Sequence, residues 1–311
     1  MKDIKPRFNY FKSPDFDNDR GRHILFYCEW GDPKNTNIVI CVHGLSRNSR
    51  DFDYLAGELA DKYRVICIDV VGRGKSEWLG DKSMYDYETY VADVIKLFDH
   101  LGISRINWVG TSMGGIIGMI VASRYPHIIT KLVLNDIGPL IPGSAIERIL
   151  SYVGSSYQFH NKIDAERALR TRLATFGINK EEHWKHLVKY SIIKKLNGKY
   201  IFTYDPEIVP TPKLVSKLKG IFTKIIPGEK KSGFPDVNLY DIWNKITCPI
   251  LTLRGEKSDV LTEEVVEQMK TSKPNIEIVE FEGVGHAPML MEEDQISVVK
   301  NWLLKKPLPK I

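Results

Sequence analysis

The chain has 311 residues, of which 43% are hydrophobic and 27% charged, with a net charge of +5. These are ordinary values for a soluble globular protein, and so mild a positive balance does not by itself point to nucleic acid. No apolar stretch approaches the ~20 residues needed to span a bilayer, so stable membrane insertion is not expected.

The first residues, Met1 to Arg7, are charged and lack an apolar signal core, which predicts a cytoplasmic protein. Strand-like runs then cover Arg7 to Phe11 and His23 to Trp30, and a turn between them predicts an antiparallel pair. A buried strand at Asn37 to Val42 follows and leads into His43-Gly44-Leu45. Asp51 to Tyr63 reads as a helix and Arg64 to Val70 as a strand. The next loop, Gly72-Arg73-Gly74, has neither G-x-G-x-x-G spacing nor a Walker-type G-K-[ST], so it is not read as a cofactor loop. It is expected to pack beside the functional site. Tyr87 to Leu101 predicts a helix with Tyr90, Val91, Val94, Leu97 and Phe98 on one face.

The strand Arg105 to Val109 runs into Gly110-Thr111-Ser112-Met113-Gly114-Gly115 and then a largely apolar helix, which Tyr125-Pro126 ends. This strand, tight glycine turn and helix form the G-x-S-x-G nucleophile elbow, which presents the Ser112 hydroxyl at the sheet edge. An ordinary serine is a poor nucleophile and needs a neighbouring base. The elbow's partners follow it in the order acid, then histidine. His286 lies in a glycine-flanked loop beyond the strand Ile276 to Phe281 and is the candidate base. The candidate acid is Asp259, in the loop after the strand Pro249 to Leu253; Asp136, ending the strand from Lys131, and Glu256 compete with it. Two backbone N–H groups should stabilise the developing oxyanion, those of Met113 and Leu45. His43 reads as a structural residue under the Leu45 loop.

Residues 137–237 interrupt the strand–helix alternation. They contain helical stretches at Asp164 to Thr175 and Lys180 to Leu196 and repeated prolines. Ile137, Leu140, Ile146, Trp184, Ile221 and Phe222 are candidate pocket residues. His183 and His186 share a helix face, but no further metal ligand is recognisable. The basic excess gathers around Lys185 to Lys199, Lys213 to Lys224 and Lys230-Lys231 and reads as solvated helix faces. Val265 to Lys270 lies in a further helix, and Glu292 to Leu304 forms the last. The four cysteines, Cys28, Cys41, Cys67 and Cys248, form no C-x-x-C pair and are read as buried thiols in a reducing compartment.

Taken in order, His43-Gly44-Leu45, Asp69 to Ser76, Gly110 to Gly115, Leu253 to Asp259 and Gly285-His286 resemble the α/β-hydrolase fold superfamily, and within it the esterase and lipase-type members with a helical cap. The resemblance implies a mostly parallel eight-stranded sheet with helices on both faces. Residues 1–136 and 238–311 would form the core, and 137–237 an inserted helical cap. Haloalkane dehalogenases and epoxide hydrolases of this fold carry an Asp at the elbow, where this chain has Ser112. A serine acyl mechanism on a small-molecule ester is therefore expected, with no cofactor and no metal. A C–C hydrolase, thioesterase or amidase would use the same residues, with Arg47 or Arg50 binding a substrate carboxylate in the C–C case. A third reading is a ligand-binding protein on a hydrolase scaffold.

Overall fold

A computed structural model describes residues 4–14, 21–153, 158–208 and 234–305. Ile221, Phe222 and the basic runs of 213–224 and 230–231 lie outside these residues. In chain order the strands are β1 (Arg7–Pro14), β2 (Arg22–Trp30), β3 (Ile38–Val42), β4 (Arg64–Ile68), β5 (Ile106–Thr111), β6 (Ile129–Asn135), β7 (Leu140–Ile141), β8 (Ile192–Lys194), β9 (Tyr200–Phe202), β10 (Val237–Asn238), β11 (Ile250–Gly255) and β12 (Glu277–Phe281). The helices are α1 (Asp53–Leu59), α2 (Tyr87–Leu101), α3 (Met113–Arg124), α4 (Gly143–Val153), α5 (Lys162–Arg172), α6 (Glu181–Ser191), α7 (Tyr240–Trp243), α8 (Glu263–Ser272) and α9 (Glu293–Leu304).

Eight strands form one sheet in the order β1-β2-β4-β3-β5-β6-β11-β12. They are the eight runs that the sequence marks. β1 pairs antiparallel with β2, and β2 antiparallel with β4. Every remaining pairing, from β4 through β3, β5, β6 and β11 to β12, is parallel. A parallel sheet needs cover on both faces, and alternate side chains of its strands supply two cores. Ile40, Ile66, Trp108 and Leu134 face one side, where α2, α3 and α8 pack. Val39, Cys41, Val109, Val133 and Leu253 face the other, against α1 and α9.

The helices follow local rules. The Asp86 carboxylate caps α2 by accepting the Thr89 N–H, and Gly102 ends it in the left-handed region at φ 63°. Its predicted apolar face is buried throughout. α3 is apolar all round and lies buried against the sheet, with Gly118 leaving room for the Trp108 indole. The Trp108 Nε1–H donates to the Gly114 carbonyl at 3.0 Å. Cys28, Cys67 and Cys41 are buried, and each outer one is in register with Cys67 between them on neighbouring strands.

Between β6 and β11 the chain leaves the sheet and forms α4 to α7 and the small strands β7 to β10. One predicted helix differs here. The helix expected to reach Leu196 stops at Ser191, and Ile192 to Lys194 pairs antiparallel with Tyr200 to Phe202. Ile192-Ile193 favours a strand, and Asn197-Gly198, with Gly198 at φ 82°, supplies the reversal. Among the described residues, no helix is long and apolar enough to cross a membrane.

Candidate active site

Ser112 sits between β5 and α3 with φ 50° and ψ −114°, a conformation that costs a non-glycine residue roughly 1–3 kcal/mol. The surroundings hold it there. Its N–H donates to the Asn135 carbonyl at 3.0 Å, and its own carbonyl accepts from Gly115 and Ile116 at 2.8 and 3.1 Å. The neighbouring glycines are required by close approach. A Cβ on Gly110 would collide with the Gly114 carbonyl, and one on Gly114 with the carbonyl of Val42 at the end of β3.

His286, in the loop beyond β12, is 7% exposed. Its Nε2 lies 2.9 Å from Ser112 Oγ, and its Nδ1 lies 2.6 Å from Asp136 Oδ2. With Nδ1–H donating to the carboxylate, Nε2 is left to accept the serine proton. Asp136 is fully buried just past β6, at φ 56°. Its Oδ1 accepts the Gly255 N–H at 2.8 Å and its Oδ2 accepts the Ser258 O–H at 2.5 Å.

The expectation of Asp259 as the acid is corrected by this geometry. Asp259 points outward and forms a half-exposed bidentate pair with Arg148 at 2.5 and 2.7 Å. The turn after β11 directs Ser258 inward instead, onto the carboxylate that β6 has already delivered. Glu256 is also elsewhere: it accepts the Gly283 N–H at 2.7 Å and shapes the approach to the histidine loop. The sequence signal for Asp136 is an aspartate directly after a buried strand, a residue type that tolerates the left-handed region.

Leu45 and Met113 both line the cavity beside Ser112. Met113 is the first residue of α3, so its N–H belongs to the amides that a helix start leaves unpaired. Gly44 brings the other loop close, since a Cβ there would lie 3.7 Å from Ser112 Cβ. His43 fixes that loop. Its Nδ1–H donates to the Gly44 carbonyl at 2.7 Å, and Nε2 accepts the Val70 N–H at 3.0 Å. Burial pushes its pKa down to about 3, so it stays neutral and serves as a structural staple. Arg73, which the sequence left as loop packing, is fully buried. It donates to the carbonyls of Leu45 and Val71 at 2.9 and 2.7 Å and to Tyr90 Oη at 3.0 Å, and it reaches Met113 Sδ at 3.6 Å. One side chain thus ties both candidate oxyanion segments together. The adjoining Asp69 carboxylate accepts the N–H groups of Ser49 and Lys75, and burial raises its pKa to about 6.

Two recesses meet at Ser112. The first, about 130 Å³, is almost wholly apolar and includes Met113, Ile116, Ile137, Ile146 and Ile149. Ile137 and Ile146 are thus placed as expected, whereas Leu140 and Trp184 line neither recess. Ile141, Val237 and Val260 also line it and carry no sequence mark beyond apolarity. The second recess, about 70 Å³, includes His286, Arg47, Asp51, Arg172 and Tyr204. The two arginines proposed as carboxylate receptors are committed elsewhere. Arg47 is bidentate on Asp51 at 2.8 and 2.5 Å, and Arg50 is bidentate on Asp53 with its guanidinium 3.9 Å from the Tyr190 ring centre. His183 and His186 have separate partners, Glu292 and the Arg50 carbonyl.

A serine at a strained strand–helix turn, bonded to a histidine that is bonded to a buried aspartate, on this sheet, is what the α/β-hydrolase fold displays. The chain belongs to that family: the model of the alpha/beta hydrolase fold matches residues 37–293. Among curated proteins it is similar to a 3-hydroxybutyrate-oligomer hydrolase of Cupriavidus necator, at 38% identity over 287 residues, covering 91% of this chain and 93% of the relative. Among solved structures it resembles a putative hydrolase from Rickettsia typhi, with TM-score 0.85, 37% identity and coverage of 97% of this chain and 100% of that one. It also resembles an alpha/beta hydrolase from Novosphingobium aromaticivorans, with TM-score 0.79, 31% identity and coverage of 96% and 98%.

Proposed function

We propose that the protein is a serine hydrolase of carboxylic esters, acting through Ser112, His286 and Asp136. The observation that carries this reading is the continuous hydrogen-bond relay between those three side chains at the junction of two recesses. His286 Nε2 takes the Ser112 proton as Oγ attacks the ester carbonyl carbon. Negative charge gathers on the carbonyl oxygen, where the N–H groups of Leu45 and Met113 receive it. The carbon–alkoxy bond then breaks, and the alkoxy oxygen leaves with the proton from His286. Water repeats the sequence on the acyl-enzyme, giving up its proton to His286 and freeing the acid. Asp136 holds the imidazole in its Nδ1–H tautomer and balances its transient charge.

Residues 137–237 are assigned as a cap that shapes the apolar recess and excludes water. Ile141, Ile146 and Ile149, all from this segment, line that recess and support the assignment. The similarity to the 3-hydroxybutyrate-oligomer hydrolase favours short hydroxyacid esters as substrates. Labelling with a fluorophosphonate probe, alongside turnover of p-nitrophenyl butyrate, tests the reading. Modification at Ser112 with ester turnover is expected, and Ser112→Ala should lose both while retaining its melting temperature. Undiminished turnover in that variant would refute the assignment.

A further inference from the structure

The basic run Lys185 to Lys199 reads from the sequence as a solvated helix face, but its second half is the β8–β9 hairpin. The chain reverses at Lys195-Leu196-Asn197-Gly198. The Gly198 N–H donates to the Lys195 carbonyl at 2.9 Å and the Lys195 N–H to the Lys199 carbonyl at 2.8 Å, which closes the turn. Leu196 stands at the first corner of this turn and is completely exposed, and Ile193 in β8 is 46% exposed. Turn corners favour Gly, Pro, Asn, Asp and Ser. A leucine at that corner contributes no packing to the fold.

The charge around that tip has one sign. No carboxylate occurs between Glu182 and Asp205, whereas Lys185, Lys189, Lys194, Lys195 and Lys199 all do. Lys185 lies in the field of Glu181 on α6. The other four form no ion pair among the described residues. The Lys189 and Lys194 ammonium groups lie 5.0 and 5.8 Å from the ring centres of Tyr190 and Tyr200. An apolar tip set among unneutralised lysines complements a surface that is apolar just beneath a layer of negative charge. An anionic bilayer has that order: its headgroups attract lysines, and the acyl boundary below them accepts apolar side chains. A nucleic acid would meet the lysines and leave the leucine in water.

We infer that the β8–β9 hairpin docks the protein on an anionic phospholipid surface. Leu196 and Ile193 enter the headgroup boundary, and Lys189, Lys194, Lys195 and Lys199 meet the lipid phosphates. The contact is peripheral and needs no spanning helix. Ser191, the last residue of α6, and Phe202, the last of β9, both line the polar recess beside Ser112. The base of the hairpin is thus part of the recess, and its tip lies one three-residue strand beyond, about 10 Å. Docking through the tip holds the recess close to the interface, where amphiphilic substrates collect. The docking does not depend on the ester reading.

The test is co-sedimentation of the full chain with vesicles of phosphatidylcholine alone and of an equimolar mixture with phosphatidylglycerol. Binding to the anionic vesicles, none to the neutral ones, and release in about 1 M salt are expected. Lys194→Gln combined with Lys195→Gln should weaken the binding about 30-fold, because each lysine near an anionic surface contributes roughly a factor of 5. Leu196→Ser should weaken it about 10-fold through lost apolar burial. Each variant should keep the wild-type melting temperature. Lys34→Gln combined with Lys62→Gln removes the same charge from the loops before β3 and β4, at the strand ends remote from Ser112, and should change binding less than about 3-fold. No binding to the anionic vesicles, an equal loss in the Lys34 and Lys62 variant, or unchanged binding in Leu196→Ser would overturn the inference. A wild-type dimer that binds no vesicles and that Leu196→Ser dissociates would assign the tip to a second copy of the chain instead.

Discussion

Asp136 and Asp259 are both aspartates just past core strands, and a single hydrogen bond separates their roles. The first meets His286 at 2.6 Å; the second is spent on Arg148 at the surface. Replacing Asp136 by Asn should lower kcat roughly 10³–10⁴-fold, because an amide no longer favours the reactive imidazole tautomer. Asp259→Asn should change kcat less than about 3-fold, since an exposed pair contributes little. Steady-state kinetics on p-nitrophenyl butyrate check both, and equal losses would contradict the assignment. The Ser112–His286 pair, 2.9 Å apart, was legible because each residue follows a strand end within a glycine-marked turn. The acid was not singled out because sequence shows which loops follow strands but not which way a side chain turns on leaving them. Ser258 occupies the inward direction in its loop, and nothing in the residue type announces it.

Among the elements, the elbow is the most constrained. A methyl group at Gly114 would enter the Val42 carbonyl, and backbone at the end of β3 cannot step aside as a flexible side chain can. Gly114→Ala should therefore destabilise the protein by about 2 kcal/mol or more and displace Ser112 from His286. The melting temperature and the rate of fluorophosphonate labelling should fall together, and an unchanged labelling rate would show that the turn absorbs the group elsewhere. The six inner sheet strands could be read from the sequence because both faces are buried, which leaves short, dense apolar runs, whereas the edge strands β1 and β12 are mostly exposed and show as aromatic and β-branched runs. The β8–β9 hairpin was misread because Ile192-Ile193 continues the apolar pattern of α6. Only the turn at Gly198 marks the change. The small strands β7 and β10, two residues each, are too short to leave any periodic trace.

Across the whole molecule, two buried groups beneath the site oppose one another in acid. His43 binds a proton at about pH 3 in the fold against 6.5 in its ordinary state, so acidification below pH 6.5 favours unfolding. Asp69 binds its proton at about 6 in the fold against 3.8, so acidification from pH 6 towards 3.8 favours folding. At pH 4.5 the two effects are on the order of 2–3 and about 2 kcal/mol respectively and largely cancel. Denaturant titrations at pH 7 and 4.5 should reveal each term separately. The stability lost in His43→Asn should be smaller at pH 4.5 than at pH 7, and that lost in Asp69→Asn larger. Parallel shifts in both variants would show that neither group carries the linkage.

The three hydrogen-bonded residues Ser112, His286 and Asp136 are not anchored alike. Ser112 and Asp136 rise from adjacent strands that are bonded to each other through the Ser112 N–H and the Asn135 carbonyl, so they share one rigid frame. His286 rides on a loop whose Gly285 N–H is held by the Thr175 carbonyl at 2.6 Å, and the Phe176 ring lies edge-on to the imidazole. Thr175 and Phe176 belong to the stretch between β6 and β11, not to the sheet. The imidazole is thus clasped from two sides, by the stretch between β6 and β11 and by the sheet, whose Asn135 side chain donates to the Pro288 carbonyl at 2.7 Å and whose Lys257 N–H, just past β11, donates to the Val284 carbonyl at 2.8 Å; a shift of either partner would reach the base before it reached Ser112.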